Sequence, residues 1–459
     1  MRVRLLLALV LGLPLMPARA QEGPPAPAPV APAPVAPVPV APAPVAPSDD
    51  PDAEQTATSK VPLDEIRRYV GVYNAVREAY VDPVDDKRLM RSAIKGLLSD
   101  LDPHSAYLEK DDAQAFDEET SGAYAGIGVE VQLQPDGSIK VVAPIDDTPA
   151  ARAGIQSGDL ITAVNGKPVA GDDDDSQGPL RGPAGSKVTL TLVRKGVAKP
   201  FDVTLLRERI RVASVRSRML EPGYGYVRIA AFQADTAADF ETQLDRLQAT
   251  AAGTPAKHLQ GLVLDLRSNP GGLLTSAVQI ADDLLDAGKI VSTRGRVAMS
   301  DSEFRATPGD RLHAAPLVAL VDAGSASAAE VLAGALADNH RARIVGSRTF
   351  GKGSVQTLLP LDNGDSIKLT TARYFTPSGH SIQARGIEPD VVLHPAKDAA
   401  NGGRPDITEA LLPGHLRGET EAEAGVNAGD VLDGDAPITA ALAELKKPLA
   451  KTTATAARQ

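Results

Sequence analysis

Two short stretches carry side chains whose types and spacing suit acyl transfer. The run Ala323-Gly324-Ser325-Ala326-Ser327-Ala328-Ala329-Glu330 stands where a buried apolar segment gives way to a helical pattern. Only small residues occupy the turn, so a substrate backbone could approach closely. A serine at this point has its hydroxyl at a helix N-terminus, where free N–H groups and the positive end of the dipole favour an oxyanion. The same residues also read as Ser327-x-x-Glu330, a capping box whose only work is to start the helix. Spacing does not choose between Ser325 and Ser327. A serine nucleophile needs a base. Of the seven histidines, His340 is near in sequence, at the far end of the same helix. Phe350-Gly351-Lys352-Gly353 offers a lysine in a stretch without acids. An amine in an apolar site with no counter-ion loses basicity and can accept a serine proton, while the plain alternative is a surface lysine in a turn. Gly346-x-x-x-x-Gly351-Lys352 approaches a phosphate-binding loop, but Gly353 stands where the magnesium-holding Ser or Thr belongs. Asn269-Pro270-Gly271-Gly272 closes another apolar run. It could give an oxyanion donor at the carboxyl end of a strand, or be a simple connection.

These residues need elements to hold them. Gly261 to Arg267 reads as a strand buried on both faces, and a helix with Leu274, Val278, Ala281 and Leu285 on one side follows the glycines. Leu317 to Val321 is a second such strand, a helix runs on to Asp338, and a third strand covers Arg343 to Val345. Upstream the period is two. Ile127, Val129, Val131 and Leu133 alternate, as do Val188, Leu190 and Leu192, then Phe201, Val203 and Leu205. Asn165-Gly166 marks a hairpin, and a short helix around Pro149 to Ala153 ends at Gly154. Asp172 to Asp175 is an acidic run that reads as a solvated loop or a cation site. Further upstream, Ile66, Val70, Tyr73, Val76 and Tyr80, then Met90, Ile94, Leu97 and Leu101, trace two amphipathic helices, the second closed by Asp102-Pro103.

The whole chain has 459 residues, 43% apolar, enough for two or three domains. Its net charge of −11 and 3% aromatics exclude nucleic acid as the main partner, since no basic stripe is available for phosphates. No cysteine is present, which removes disulfides, thiolate metal sites and a cysteine nucleophile. Residues 1–20 carry Arg2 and Arg4, an apolar run from Leu5 to Leu15, and Ala18-Arg19-Ala20, which is the pattern of a secretory signal peptide. Residues 21–60 are a Pro/Ala-rich linker in which Pro-Ala-Pro-Val repeats, a polyproline II spacer or tether.

Six stretches, in this order, resemble the carboxyl-terminal processing proteases, the tail-specific Ser-Lys peptidase family. They are Leu101-Asp102-Pro103-His104-Ser105; Gly126-Ile127-Gly128; Asp265-Leu266-Arg267-x-Asn269-Pro270-Gly271-Gly272; Gly324-Ser325-Ala326-Ser327-Ala328-x-Glu330; Phe350-Gly351-Lys352-Gly353-x-Val355-Gln356; and Leu369-Thr370-Thr371-Ala372-Arg373-Tyr374. The resemblance covers roughly residues 63–395. It implies that Ser327, not Ser325, is the nucleophile and Lys352 the general base. Gln356 would orient the lysine, and Asp338 matches a position implicated in some members. Ala328 N–H and an N–H of Gly271 or Gly272 would form the oxyanion hole. Ala125, Gly126, Ile127 and Gly128 would bind a substrate tail by its carboxylate. Two positions depart from the pattern: Ala329 replaces a usual Ser, and Ala125 a frequent Gly.

The expected fold is α/β and multidomain. A crotonase-like α/β spiral forms the protease core (208–398), with a β-rich PDZ domain (121–207) inserted after an N-terminal helical segment (61–120) and a partly ordered tail (399–459) at the end. The implied function is a periplasmic serine endopeptidase, exported by its signal peptide, that cleaves proteins near their C-termini without cofactor or metal. Its partners are protein substrates with free C-terminal tails. An adaptor protein, peripheral membrane contact and homo-oligomerisation are compatible with that reading. The rival is a tail-binding PDZ scaffold with an inactive core.

Overall fold

The structure is a computed structural model that describes residues 62–134, 137–169, 180–395, 407–419 and 429–447. The signal peptide, the Pro/Ala linker, the acidic run at Asp172 to Asp175 and much of the expected tail lie outside the described residues. The chain divides into two units at Tyr80. In the first, helix α1 (Leu63–Ala79) carries Arg67–Asp64 and Arg68–Glu65 pairs three residues apart and buries none of its residues. No described helix is long and apolar enough to cross a membrane.

The second unit opens with α2 (Asp86–Ser99), started by the Asp85 carboxylate, which accepts the N–H of Arg88. The apolar stripe expected to pack is left exposed: Met90, Ile94, Leu97 and Leu101 all face solvent, and Leu98 is the buried residue. The end of α2 lies beside β1 (Ala106–Leu108), and its Arg91 and Lys95 pair with Glu109. A helix that the sequence pattern did not reveal follows, α3 (Lys110–Ser121), closed by Gly122 in the left-handed conformation. Its residues are mostly polar and give little periodicity.

Strand β2 (Ala123–Gly126) leads into the small β domain, and β9 (Glu208–Arg211) leads out. The two pair antiparallel, Ala123 with Arg211 and Gly126 with Glu208, so both ends of the insert are fastened to one ribbon. Between them lie β3 (Val129–Leu133), β4 (Ile139–Pro144), α4 (Pro149–Arg152), β5 (Leu160–Val164), β6 (Lys167–Pro168), β7 (Lys187–Val193) and β8 (Phe201–Leu206). The sheet order is β3-β4-β5-β7-β8, with β6 on β5 through the Asn165-Gly166 turn, where both residues have positive φ. Alternating residues fill its core: Ile139 and Val141 from β4, and Val188, Leu190 and Leu192 from β7. Ile127, read in sequence as the start of a strand, precedes β3 and is buried in this core.

The larger domain is built on the sheet β10-β11-β12-β15-β16-β19. Its strands are β10 (Val215–Glu221), β11 (Tyr224–Ile229), β12 (Gly261–Asp265), β15 (Leu317–Val321), β16 (Arg343–Gly346) and β19 (Val391–Val392). All neighbours from β11 to β19 are parallel. Every residue of β12 and β15 is buried, because both faces are covered. Leu262, Leu264, Leu317, Ala319 and Val321 face α5 (Thr236–Ala252), α6 (Leu274–Leu284) and α7 (Ala328–Asp338). Val263, Val318 and Leu320 pack with Ile438, Ala441 and Leu445 of α8 (Ala436–Leu445). Residues 429–447, placed by sequence in a partly ordered tail, thus cover the second face of the sheet. A second, antiparallel sheet, β1-β18-β13-β14 with β17 on β18, uses β13 (Lys289–Gly295), β14 (Ser302–Arg305), β17 (Ser354–Pro360) and β18 (Ser366–Phe375).

Candidate active site

The turn between β15 and α7 is held from below. Asp322, fully buried, accepts the N–H groups of Ser268 at 2.7 Å, Gly324 at 2.9 Å and Leu432 at 3.2 Å. Ser325 is also fully buried. Its hydroxyl donates to the Leu266 carbonyl at 2.8 Å and accepts the Asp322 N–H at 2.9 Å. Both capacities of Ser325 are therefore spent on the fold. Asp265, in the same motif as Arg267, is structural too: its carboxylate takes Arg267, Arg228 and the Tyr226 hydroxyl, and Arg267 reaches on to the Leu432 and Gly434 carbonyls.

Ser327 is the N-cap of α7 and adopts φ 54°, a left-handed conformation that is strained for a serine and is seen where a site requires it. Gly271 lies directly against it. A Cβ on Gly271 would sit 2.8 Å from the Ser327 Cβ and 3.0 Å from the Ala328 nitrogen, so glycine leaves the space in front of this N–H open. Ala328 is the first residue of α7, and among the described residues its N–H has no acceptor. The Gly271 N–H is taken by the Asn269 side chain at 2.9 Å, whereas that of Gly272 has no acceptor among the described residues. The Tyr374 phenol, buried against Ser327, is pushed up to about 12 by burial, with the Ser327 hydroxyl opposing the shift.

Lys352 sits in the loop between β16 and β17. Burial is the main cause that lowers its pKa, with help from Lys368; Glu409, Glu330 and Asp102 pull it back up in part. It forms no ion pair among the described residues. Glu330, fully buried, joins this loop to the serine. Its Oε2 accepts the Ser327 N–H at 2.8 Å and the Lys352 N–H at 2.9 Å, and its Oε1 accepts the Gly351 N–H at 2.7 Å and the Thr349 hydroxyl. Burial pushes this carboxyl up to about 7 against those four donors. One carboxylate therefore fixes the backbone at both residues. The same bonds remove the phosphate-loop reading, because the N–H groups of Gly351 and Lys352 already face an anion. Gly353 is glycine because a Cβ there would lie 2.2 Å from the Gln383 nitrogen.

Gln356 does not hydrogen-bond Lys352; its Nε2 donates to Ser354 Oγ at 2.9 Å and Thr370 Oγ at 3.3 Å. Asp338 and His340 stand at the other end of α7, about 16 Å from Ser327 for eleven helical residues at 1.5 Å each. Asp338 is bonded to Ser378 there. Sequence reasoning saw Glu330 only as a capping residue and gave Tyr374 no role. The positions were in quoted motifs, but their shared neighbourhood is tertiary.

In the small domain, Ala125 and Gly126 belong to the β2–β9 ribbon. Ile127 and Gly128 lie in the turn after it, with carbonyls that accept from Ala150 and Ile145 and N–H groups that have no acceptor among the described residues. Gly128 has φ 78° and leaves no room for a Cβ beside Thr148. A groove lined by Tyr124, Ile127, Val129, Val131, Leu180 and Arg181 lies beside β3, whose outer edge is unpaired among the described residues. Among the described residues no cluster of His, Asp or Glu is arranged to hold a metal.

Comparison with known proteins places these parts. Residues 223–393 match peptidase family S41, residues 140–194 a PDZ domain, and residues 43–112 the N-terminal domain of the activating protease CtpB. A carboxy-terminal-processing protease of Bartonella bacilliformis is 42% identical over 363 residues, 79% of this chain and 82% of that protein. The carboxy-terminal processing protease CtpA of Bacillus subtilis is 37% identical over 321 residues, 70% of this chain and 67% of that protein. Among solved structures, a photosystem II D1 C-terminal processing protease aligns at 33% identity and a TM-score of 0.42, over 72% of this chain and 93% of that one. With relatives this similar across most of its length and an S41 match over the very strands and helices that carry Ser327 and Lys352, the chain belongs to the carboxy-terminal-processing proteases of peptidase family S41 and is a serine-type peptidase with a PDZ domain.

Proposed function

We propose that this peptidase cleaves protein substrates near their C-termini with a Ser327–Lys352 dyad, after its PDZ domain has captured the substrate tail. The observation that carries the dyad is the Glu330 carboxylate, which receives the N–H of both residues. The lowered basicity of Lys352 is what a base that must be neutral near pH 7 requires. Lys352 Nζ takes the proton of Ser327 Oγ as that oxygen attacks the scissile carbonyl. The tetrahedral oxyanion is met by the N–H groups of Ala328 and Gly272, the two left without an acceptor. The protonated lysine then gives its proton to the leaving amine; the regenerated Lys352 amine takes a proton from the water that attacks the acyl-enzyme and returns it to Ser327 Oγ as the ester breaks. Gln356 supports this arrangement at one remove, through Ser354 and Thr370.

For capture, an extended tail adds to the free edge of β3, and its carboxylate meets the N–H groups of Ile127 and Gly128 at the end of the Ala125-Gly126 strand. The signal-peptide pattern of residues 1–20 supports action outside the cytoplasm.

The test pairs two changes. Ser327→Ala and Lys352→Ala should each abolish cleavage of an unstructured protein while far-UV circular dichroism stays unchanged. Amidating the substrate's C-terminus should weaken capture by about 1.5–3 kcal/mol, the worth of a charged hydrogen-bond set. Cleavage by Ser327→Ala would sink the nucleophile, and equal rates for free-acid and amidated substrates would sink tail recognition.

A further inference from the structure

The motif Leu101-Asp102-Pro103-His104-Ser105 is far from Lys352 in sequence, yet two chains of hydrogen bonds run from it to the strands and loop around that lysine. In the first, buried Asp102 accepts the N–H groups of His104 at 2.8 Å and Ser105 at 2.9 Å, and the Thr370 hydroxyl at 3.1 Å. Thr370 in turn accepts from Gln356. In the second, the His104 Nε2 lies 2.8 Å from Glu409 Oε2, and Glu409 Oε1 accepts the Gln383 amide at 2.8 Å. Gln383 Oε1 accepts the Gly353 N–H at 3.0 Å, and the Glu409 N–H donates to the Phe350 carbonyl at 3.1 Å. Phe350 and Gly353 flank Lys352, so residue 409 grips the loop on both sides of the base, once directly and once through Gln383.

Glu409 is fully buried, and burying a carboxylate is costly unless it is paired. Among the described residues its side-chain partners are His104 and Gln383. A neutral hydrogen bond would tie the loop at less cost. What the carboxylate adds, on the loop that it grips, is a charge that acts on the Lys352 amine. The charged groups that act on this amine are Lys368 of β18, Glu330 of α7, Asp102 in the turn and Glu409; of the acids, Glu409 acts on it most strongly.

We propose that the His104–Glu409 pair is a positioning device that clamps the Lys352 loop and holds a counter-charge beside its amine. The proposal rests on the reading of Lys352 as the base. Glu409 resists the loss of the lysine proton, and His104, 2.8 Å from its Oε2, holds that carboxylate in place. His104 acts through Glu409 and touches no reacting atom.

The experiment uses the full chain and an unstructured protein substrate, with kcat and kcat/KM measured from pH 5 to 10 and a thermal melt for each variant. Glu409→Gln keeps an oxygen for Gln383 and an amide for a neutral His104 ring nitrogen, but removes the charge. Its plateau activity should stay within about ten-fold of wild type, while the acid limb of kcat/KM moves to lower pH by roughly one unit, because the amine then deprotonates more readily. An acid limb that coincides with the wild-type limb overturns the proposal. His104→Gln should retain activity within about ten-fold at the plateau; complete loss with an unchanged melt would make His104 the base and overturn it as well. Lys352→Arg separates this from the reading beneath it, since arginine cannot serve as a neutral base. If Lys352→Arg cleaves at the wild-type rate, the dyad falls. If it is inactive and the Glu409→Gln limb is unmoved, the dyad stands and the counter-charge does not.

Discussion

Replacing Glu330 by Gln tests whether one carboxylate organises the site. The two side chains have the same shape, but Gln presents one oxygen and one NH2 group. Each carboxylate oxygen accepts two donors: Oε2 takes the N–H groups of Ser327 and Lys352, and Oε1 those of Gly351 and the Thr349 hydroxyl. Whichever way the amide turns, its NH2 faces two donors, at least one of them a backbone N–H, and two charge-assisted bonds are lost. At about 1.5–3 kcal/mol each, this is about 3–6 kcal/mol of local organisation. If it all appears in the transition state, kcat falls about 10²- to 10⁴-fold at 1.4 kcal/mol per decade. Stability should fall by less, because burial already works against the charged form and holds the carboxyl at about 7. The sign follows from that value. A carboxyl raised from 4.5 in the folded state penalises folding above pH 7, and the penalty disappears as the pH falls toward 4.5. Glu330→Gln should therefore compare better with wild type in melts at pH 8 than at pH 5, while its kcat is low at both. Steady-state cleavage with circular-dichroism melts would measure this, and a variant with wild-type kcat and KM would refute the hub.

Other consequences follow from the same geometry. Ser325→Ala should lower stability by about 1–3 kcal/mol, because the buried Asp322 N–H loses its acceptor, yet keep covalent labelling of Ser327 by a fluorophosphonate; loss of labelling in a folded variant would contradict the structural role. Gly353→Ala puts a methyl 2.2 Å from the Gln383 nitrogen and should displace Lys352, with kcat lowered more than KM; unchanged kinetics would mean that the loop yields freely. Lys352→Met should abolish activity and raise the melting temperature at pH 7. A lysine whose folded pKa is depressed contributes stability above its unfolded pKa near 10.5 and loses it as the pH falls through the folded value, so the gain should shrink toward pH 10.5. A lower melting temperature at pH 7 would argue that the amine is favourably paired.

Much of this protein is set by local sequence. The all-apolar runs at Gly261 and Leu317 admit only strands covered on both faces, and they are β12 and β15. The two-residue period of Val188, Leu190 and Leu192 gives β7, and Asn165-Gly166 can turn a hairpin because both residues tolerate positive φ. Helix α7 ends at Asp338, as its pattern predicts. Relations between distant residues are different, because no local preference encodes them. Both Ser325 and Ser327 fit a nucleophile by spacing; only the approach of the Leu266 carbonyl commits the Ser325 hydroxyl to the fold. Glu330 reads as a helix cap until the Lys352 loop folds over it and brings three further donors. Glu409 sits in a segment that looks like solvated tail, and nothing in its neighbours signals burial until His104, 305 residues away, is packed beside it. The α2 stripe shows the converse: amphipathic spacing specifies a helix, but only tertiary structure decides whether that face is covered, and here it is exposed. Periodicity and turn chemistry act within a few residues and are legible in sequence. Desolvation and the sharing of one buried carboxylate act across the chain, and only the packed structure decides them.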